Sequence, residues 1–265
     1  MSRRPLTIRR NSSTAIPEAP TKGRRTCVLL LSGGLDSATC LALVTRWGWR
    51  VHALSFDYGQ RHRAELASAR ALARRYRVVS HRAIAIPSFG ALGGSALTDR
   101  SIRVPKKALG KVRIPVTYVP ARNTLFLAFA LGVAETAGAT EIVIGANALD
   151  YSGYPDCRPA FLHAFERLAR LGTKAGAEGR RFAIRAPLLK LTKARIVALA
   201  LALGVEPSLT TSCYDPSPSG RPCGACDACL LRARGFAEAG AEDPRALISA
   251  APAQRRRSPP ARGRA

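Results

Sequence analysis

Thr26-Cys27-Val28-Leu29-Leu30-Leu31-Ser32-Gly33-Gly34-Leu35-Asp36-Ser37-Ala38-Thr39-Cys40 is the stretch that decides how this chain folds. Its first six residues form a short apolar run suited to a buried strand. Ser32-Gly33-Gly34 breaks that run, and over 35–47 the apolar residues recur at helical spacing. A glycine turn between a first strand and a first helix is where open α/β sheets hold phosphates. The glycines let backbone N–H groups approach an anion, the helix start adds its positive dipole end, and Ser32 and Ser37 add hydroxyls. The string is neither G-x-x-x-x-G-K-S/T nor G-x-G-x-x-G. A plain tight turn with a capping Asp36 is the bland alternative.

Further strands are expected at 51–56, 78–86 and 141–146, and helices at about 61–76, 122–137, 160–171 and 193–203. Strands alternating with helices of ten or more residues mean an α/β fold, a parallel sheet covered on both faces. Residues 87–117 are basic and rich in Gly and Pro, and read as a loop or lid. After Val205 the alternation stops and a Cys/Pro/Gly-rich stretch follows over 212–229. The expected organisation is a disordered basic arm over 1–25, an α/β domain over 26–205, a cysteine segment packed on it over 206–243, and a loose basic tail over 244–265.

The chain has 265 residues and a formal net charge of +25, from 42 Lys+Arg against 17 Asp+Glu. A field of that sign attracts polyanions whatever the fold. The arm and the tail each carry +6, leaving +13 for the middle, and arginine outnumbers lysine by 35 to 7. An Arg-rich composition explains this as readily as a polyanion partner does. With 47% hydrophobic residues the chain is not largely disordered. No apolar run approaches the roughly 18–20 residues a bilayer demands, and the N-terminus has no signal-peptide core. Seven unevenly spaced cysteines do not form a secreted disulfide framework, so a reducing cytoplasm is expected.

Four of those cysteines, Cys213, Cys223, Cys226 and Cys229, are spaced C-x(9)-C-x(2)-C-x(2)-C. Four thiolates can close a tetrahedron around one zinc, with Gly224 permitting the tight knuckle. An iron–sulfur cluster is the rival. Four cysteine ligands leave no open position, so the metal would be structural.

The string from Ser32 to Ser37 resembles the PP-loop of the ATP pyrophosphatases, which cleave ATP between its α and β phosphates. Taken with SGGLDSATC (32–40), FDYGQRH (56–62), VPARNTLFLAFA (119–130), GANALDYSGYPDCRPAF (145–161) and the cysteine cluster, the chain resembles the QueC family of queuosine-precursor enzymes. The resemblance covers 27 to about 240. It implies an adenine nucleotide α-hydrolase-like (Rossmann-like, PP-loop) core. It also implies an ATP-dependent ligase that converts 7-carboxy-7-deazaguanine and ammonia to the nitrile by two adenylations. Under that resemblance ATP is bound by residues 30–40 (Leu30, Leu31, Ser32, Gly33, Gly34, Leu35, Asp36, Ser37, Ala38, Thr39 and Cys40) together with Arg122, Asn123 and Lys193. Asp36, Ser37 and Arg122 are the candidate catalytic groups, with Asp36 near the Mg²⁺ that travels with ATP. Family members often have glycine where Ala121 stands here.

A deazaguanine carboxylate needs a stacking face, an acceptor for its ring N–H groups and a cation for its carboxylate. Tyr154, Asp150 or Asp156, and Arg158 could meet those needs, with Asp57 and Arg61 at the second strand's end contacting nucleotide or substrate. Cys157 lies in the same stretch, but no base adjoins it in sequence, and packing is its expected role. The resemblance suggests a homodimer. A PP-loop enzyme that thiolates tRNA or makes lysidine, or a zinc-ribbon nucleic-acid binder, would use the same charge. Neither would need the motif over 145–161, and no RNA-binding module flanks the core.

Overall fold

The computed structural model describes residues 15–20, 23, 25–61, 63–108, 114–147 and 154–249. In chain order the elements are β1 (Thr26–Leu30), α1 (Leu35–Arg46), β2 (Arg50–Asp57), α2 (Ala64–Arg75), β3 (Ser80–Ala85) and a single turn, α3 (Pro87–Gly90). There follow α4 (Arg122–Thr136), β4 (Glu141–Val143), α5 (Pro159–Leu171), α6 (Lys174–Ala177), β5 (Ala183–Arg185), α7 (Lys193–Ala202), α8 (Asp227–Glu238) and α9 (Pro244–Ser249).

All four strand pairings are parallel, in the order β3-β2-β1-β4-β5. Side chains alternate between the faces of a strand, and β1 shows the consequence. Cys27 and Leu29 enter one core cluster with α1, α7 and Phe236 of α8, whereas Val28 and Leu30 enter a second with α4 and α5. Both faces are apolar because both are covered, as a parallel sheet requires.

The strand expected over 141–146 ends at Val143, and the segment beyond it turns into the site. β5 and α8 escaped the sequence reading, as did the short helices α3, α6 and α9. β5 has only three residues, too few for a periodicity. α8 begins inside the cysteine-rich stretch and contains Gly235, yet Phe236 is 2% exposed within the main core. Within the expected arm and tail, the described residues make specific contacts. Ile16 packs on the core, Trp47 Nε1 donates to Pro17 O at 2.8 Å, and residues 244–249 are helical.

Glu141 starts β4, 2% exposed, and accepts from Arg25 before β1 at 2.9 Å and from Arg185 of β5 at 2.6 Å. A carboxylate buried at this level needs such partners. Here they tie three adjacent strands at one end.

Candidate active site

The chain winds from β1 outward through β2 to β3, then returns to the other side of β1 for β4 and β5. The loops leaving β1 and β4 therefore part, and in such sheets the crevice between them is where ligands bind. A cavity of about 280 Å³ occupies that crevice. Gly33, at φ +87°, presses so close to α2 that a Cβ there would strike the backbone oxygen of Glu65. Gly145, after β4, abuts α1, and a Cβ there would lie 3.1 Å from Ser37 N. Ser37 Oγ donates to Gly34 O at 3.0 Å and lies 3.1 Å from Ser32 Oγ, which holds the loop's shape.

Three helices begin at this cavity: α1 after Gly34, α4 at Arg122 and Asn123, and α7 at Lys193. The positive ends of α1 and α7 favour an anion, whereas the first turn of α4 already holds the Asp156 carboxylate at the Asn123 amide and offers the cavity its Arg122 side chain. Lys193 Nζ bonds both Asp36 oxygens, at 2.7 and 2.9 Å. Gly235 of α8 makes this reach possible, since a Cβ there would strike the Lys193 side chain. One wall is aromatic: Phe56 stacks on Phe126 at 4.0 Å, and Tyr58 meets the edge of Phe126 at 5.4 Å. Opposite, Tyr154 donates to or accepts from Thr117 Oγ1 at 2.8 Å and lies 5.9 Å from Tyr118. Ser212, Tyr214 and Arg232 close the remaining side.

Cys213, Cys223, Cys226 and Cys229 place their sulfurs within 4.8 Å of one another, close enough for one ion. Tetrahedral zinc with bonds of about 2.3 Å would need only a small contraction. Backbone amides already point at sulfur, Cys223 N at Cys213 Sγ (3.2 Å) and Cys226 N at Cys223 Sγ (3.3 Å). Hydrogen bonds among the close sulfurs push the Cys226 thiol down and those of Cys213 and Cys229 up, so the set shares its protons as a unit. Part of the expected lid lies across this cluster as a strap. Lys106 pairs with Cys226 in an antiparallel bridge and with Asp215 at 2.8 Å, Lys107 N donates to Ala225 O, and Ala108 N to Asp227 Oδ1.

The family described as "Queuosine biosynthesis protein QueC" matches residues 26–240. The chain belongs to the QueC family. It is 61% identical over 228 residues, 85% of this chain and 96% of the relative, to the 7-cyano-7-deazaguanine synthase of Anaeromyxobacter sp. (strain Fw109-5). To the protein of that name from Anaeromyxobacter dehalogenans (strain 2CP-C) it is 59% identical, over 84% of this chain and 96% of the relative. To that of Azotobacter vinelandii (strain DJ / ATCC BAA-1303) it is 58% identical, over 82% and 96%.

In this QueC family member, Leu30, Leu31, Ser32, Gly34, Leu35, Asp36 and Ser37 line the cavity, as do Arg122, Asn123, Tyr154 and Lys193. Several expected contacts are corrected. Ala38, Thr39 and Cys40 are fully buried, because the next turn of α1 faces the core; Thr39 Oγ1 donates to its own helix at Leu35 O. Asp57 pairs with Arg63 at 2.8 Å instead of facing the cavity. Asp156 lies behind the wall, accepting from Asn123 N at 3.1 Å and so capping α4. Arg158 stands at the start of α5, off the cavity wall. Arg61 donates to Asp99 O and Ile102 O, beside a smaller chamber. Asp150 and His62 lie outside the described residues. Cys157 reaches the cavity, but burial pushes its thiol up to about 11, unlike a nucleophile's.

The sequence reading missed Glu65, Phe126, Ser212 and Arg232. Only Glu65 left a trace, an acid in a predicted helix's first turn just after the FDYGQRH string. Burial raises its carboxyl to about 7, against the opposing pull of Arg122 and a hydrogen bond from Gln60. Among the described residues no helix is long and apolar enough to cross a membrane.

Proposed function

We propose that this chain is a 7-cyano-7-deazaguanine synthase, using ATP to turn 7-carboxy-7-deazaguanine and ammonia into the nitrile with release of AMP and pyrophosphate. The convergence of three helix starts on one cavity at the sheet's switch point carries this reading. It offers an anion site large enough to seat a nucleotide beside an aromatic wall. The family relationship supplies the substrates.

A carboxylate is a poor electrophile until its oxygen becomes a leaving group, and transfer of AMP makes it one. The protein's task is to hold the phosphates, align the two reactants and exclude water from the adenylate. In this reading the loop from Ser32 to Ser37 holds the triphosphate, while Arg122 and Lys193 neutralise charge as pyrophosphate leaves. Magnesium, when bound with ATP, shields the phosphates; Asp36 is the carboxylate beside the loop that would hold it. Phe56, Phe126 and Tyr154 supply faces for the two purine-like rings. Amide formation is followed by a second adenylation, on the amide oxygen, and dehydration to the nitrile.

Zinc is the metal this reading gives the four cysteines, as a closed structural site. A homodimer in the cytoplasm completes it, with the dimer checked by the mass measured in solution. The deciding experiment incubates metal-loaded protein with ATP, ammonium and 7-carboxy-7-deazaguanine. Nitrile, AMP and pyrophosphate are expected; protein that holds its metal but makes no nitrile would overturn the reading. Metal analysis returning iron and sulfide would overturn zinc alone.

A further inference from the structure

Among the described residues two carboxylates line the cavity, Asp36 and Glu65. Asp36 is occupied by Lys193. Among the described residues Glu65 accepts from Gln60 Nε2, at 3.2 Å, and forms no ion pair. Its helix turn is seated on the phosphate loop, since its backbone oxygen fills the space a Cβ on Gly33 would need. Beside it the cavity adjoins a chamber of about 50 Å³ walled by Gln60, Arg61 and Leu97 and sharing Tyr58, Glu65 and Arg122 with the main space. A chamber of this size suits one small polar molecule, not a nucleotide or a base. A carboxylate at a helix's first turn gains from the dipole even when it points at solvent. This one points inward, next to the loop where adenylates would form.

We propose that Glu65 is the proton acceptor for the reacting nitrogen, and that the side chamber holds ammonia before it attacks. The proposal rests on the synthase reading. In the first stage a proton passes from ammonium to the Glu65 carboxylate. The freed lone pair forms the C–N bond, and the C–O bond to AMP breaks with its electron pair leaving on AMP; the amide sheds its surplus proton to the departing phosphate. In the second stage the activated amide carries AMP on oxygen. By then Glu65 has released its first proton to water. One N–H proton of the cationic activated amide passes to water and leaves a neutral imidate; the other passes to the Glu65 carboxylate, and its bonding pair becomes the third C–N bond as the C–O bond breaks with its electron pair leaving on AMP. Nothing is oxidised or reduced.

Among the described residues the charged and titratable groups facing Glu65 are Arg122 of α4 and Tyr58 after β2, with Arg61 and Tyr214 across the side chamber. Burial sets Glu65 near 7, where a carboxyl exchanges protons most effectively at neutral pH. Below that value the acceptor is filled, so nitrogen-dependent steps should slow as pH falls through about 7.

Glu65→Gln removes the acceptor with little change in shape. Nitrile formation at pH 7 should fall by about 10²–10⁴, whereas adenylation, read as carboxylate-dependent exchange of pyrophosphate into ATP, should fall less than about tenfold. The amide-forming loss should narrow at alkaline pH, where ammonium has already surrendered its proton. Nitrile formation at the wild-type rate with the wild-type pH profile would refute the proposal, as would equal losses in both assays. Should Glu65→Gln fail to fold, Glu65→Asp keeps an acceptor one methylene short. It should turn over slowly yet retain the decline below pH 7, and a flat profile would refute the proposal. Wild-type protein that makes no nitrile at all refutes the synthase reading instead.

Discussion

Ala121 sits at φ +55° and ψ +17°, a left-handed conformation that costs a residue with a Cβ about 1–2 kcal/mol. The chain tolerates it because Arg122 and Asn123 must leave that turn already aimed at the cavity. Glycine's greater freedom when unfolded takes back part of any gain, so Ala121→Gly should stabilise by about 0.5–1 kcal/mol and raise the melting temperature by about 1–3 °C in calorimetry. At Asp36 the expectation is chemical. Asp36→Ala frees Lys193 and should abolish AMP release while metal content, measured on the purified protein, stays at the wild-type ratio. Residues of this kind were legible because their chemistry is contiguous in sequence. Asp57 and Asp156 show the opposite: a carboxylate at a strand end or in a turn looks available until folding supplies Arg63 to one and the Asn123 amide to the other.

At the level of elements, α8 is fixed by one arginine. Arg232 and Asp243 are 8% and 7% exposed and bond at 2.7 and 2.9 Å, and the same guanidinium donates to Thr210 Oγ1 and Pro207 O. Removing one member of a buried pair strands the other's charge, at a cost of about 3–5 kcal/mol. Asp243→Ala should therefore lower stability in urea by that amount, whereas Arg234→Ala, whose partner Glu238 is exposed, should change it by less than about 1 kcal/mol. Helices α1, α2, α4, α5 and α7 and strands β1 to β4 could be read from the sequence pattern. β5 could not, having three residues, and α8 was hidden by cysteines and Gly235. The cavity's far wall was illegible because Phe126, Ser212 and Arg232 meet the phosphate loop only after α4 and α8 have docked from distant parts of the chain.

The whole molecule joins its early and late parts at the cysteine cluster. The strap at Lys106–Ala108 bonds to Ala225, Cys226 and Asp227, and Ala96 and Val104 pack against Cys213 and Cys226. Cys226→Ser should lose the metal and with it the strap's protection from hydrogen exchange. If exchange over 95–108 stays as slow as in the loaded protein, the strap does not depend on the knuckle. Net charge, so prominent in the sequence, bears little on this architecture: about half of it lies in the terminal arm and tail rather than at the cavity.

Ribosomal order gives the strap a further meaning. Ala108 and Asp227 are separated by 119 positions, and the wall containing Ser212, Tyr214 and Arg232 is synthesised after the sheet. A nascent chain that already displays the phosphate loop still has one side of its crevice open to water. Closing that side waits for Arg232 and its partner Asp243, which follow the last cysteine of the cluster, Cys229, in the chain. A chain ending before Cys229 would keep the loop from Ser32 to Ser37 yet lack the fourth thiol, and with it Leu231 and Arg232 of the cavity wall.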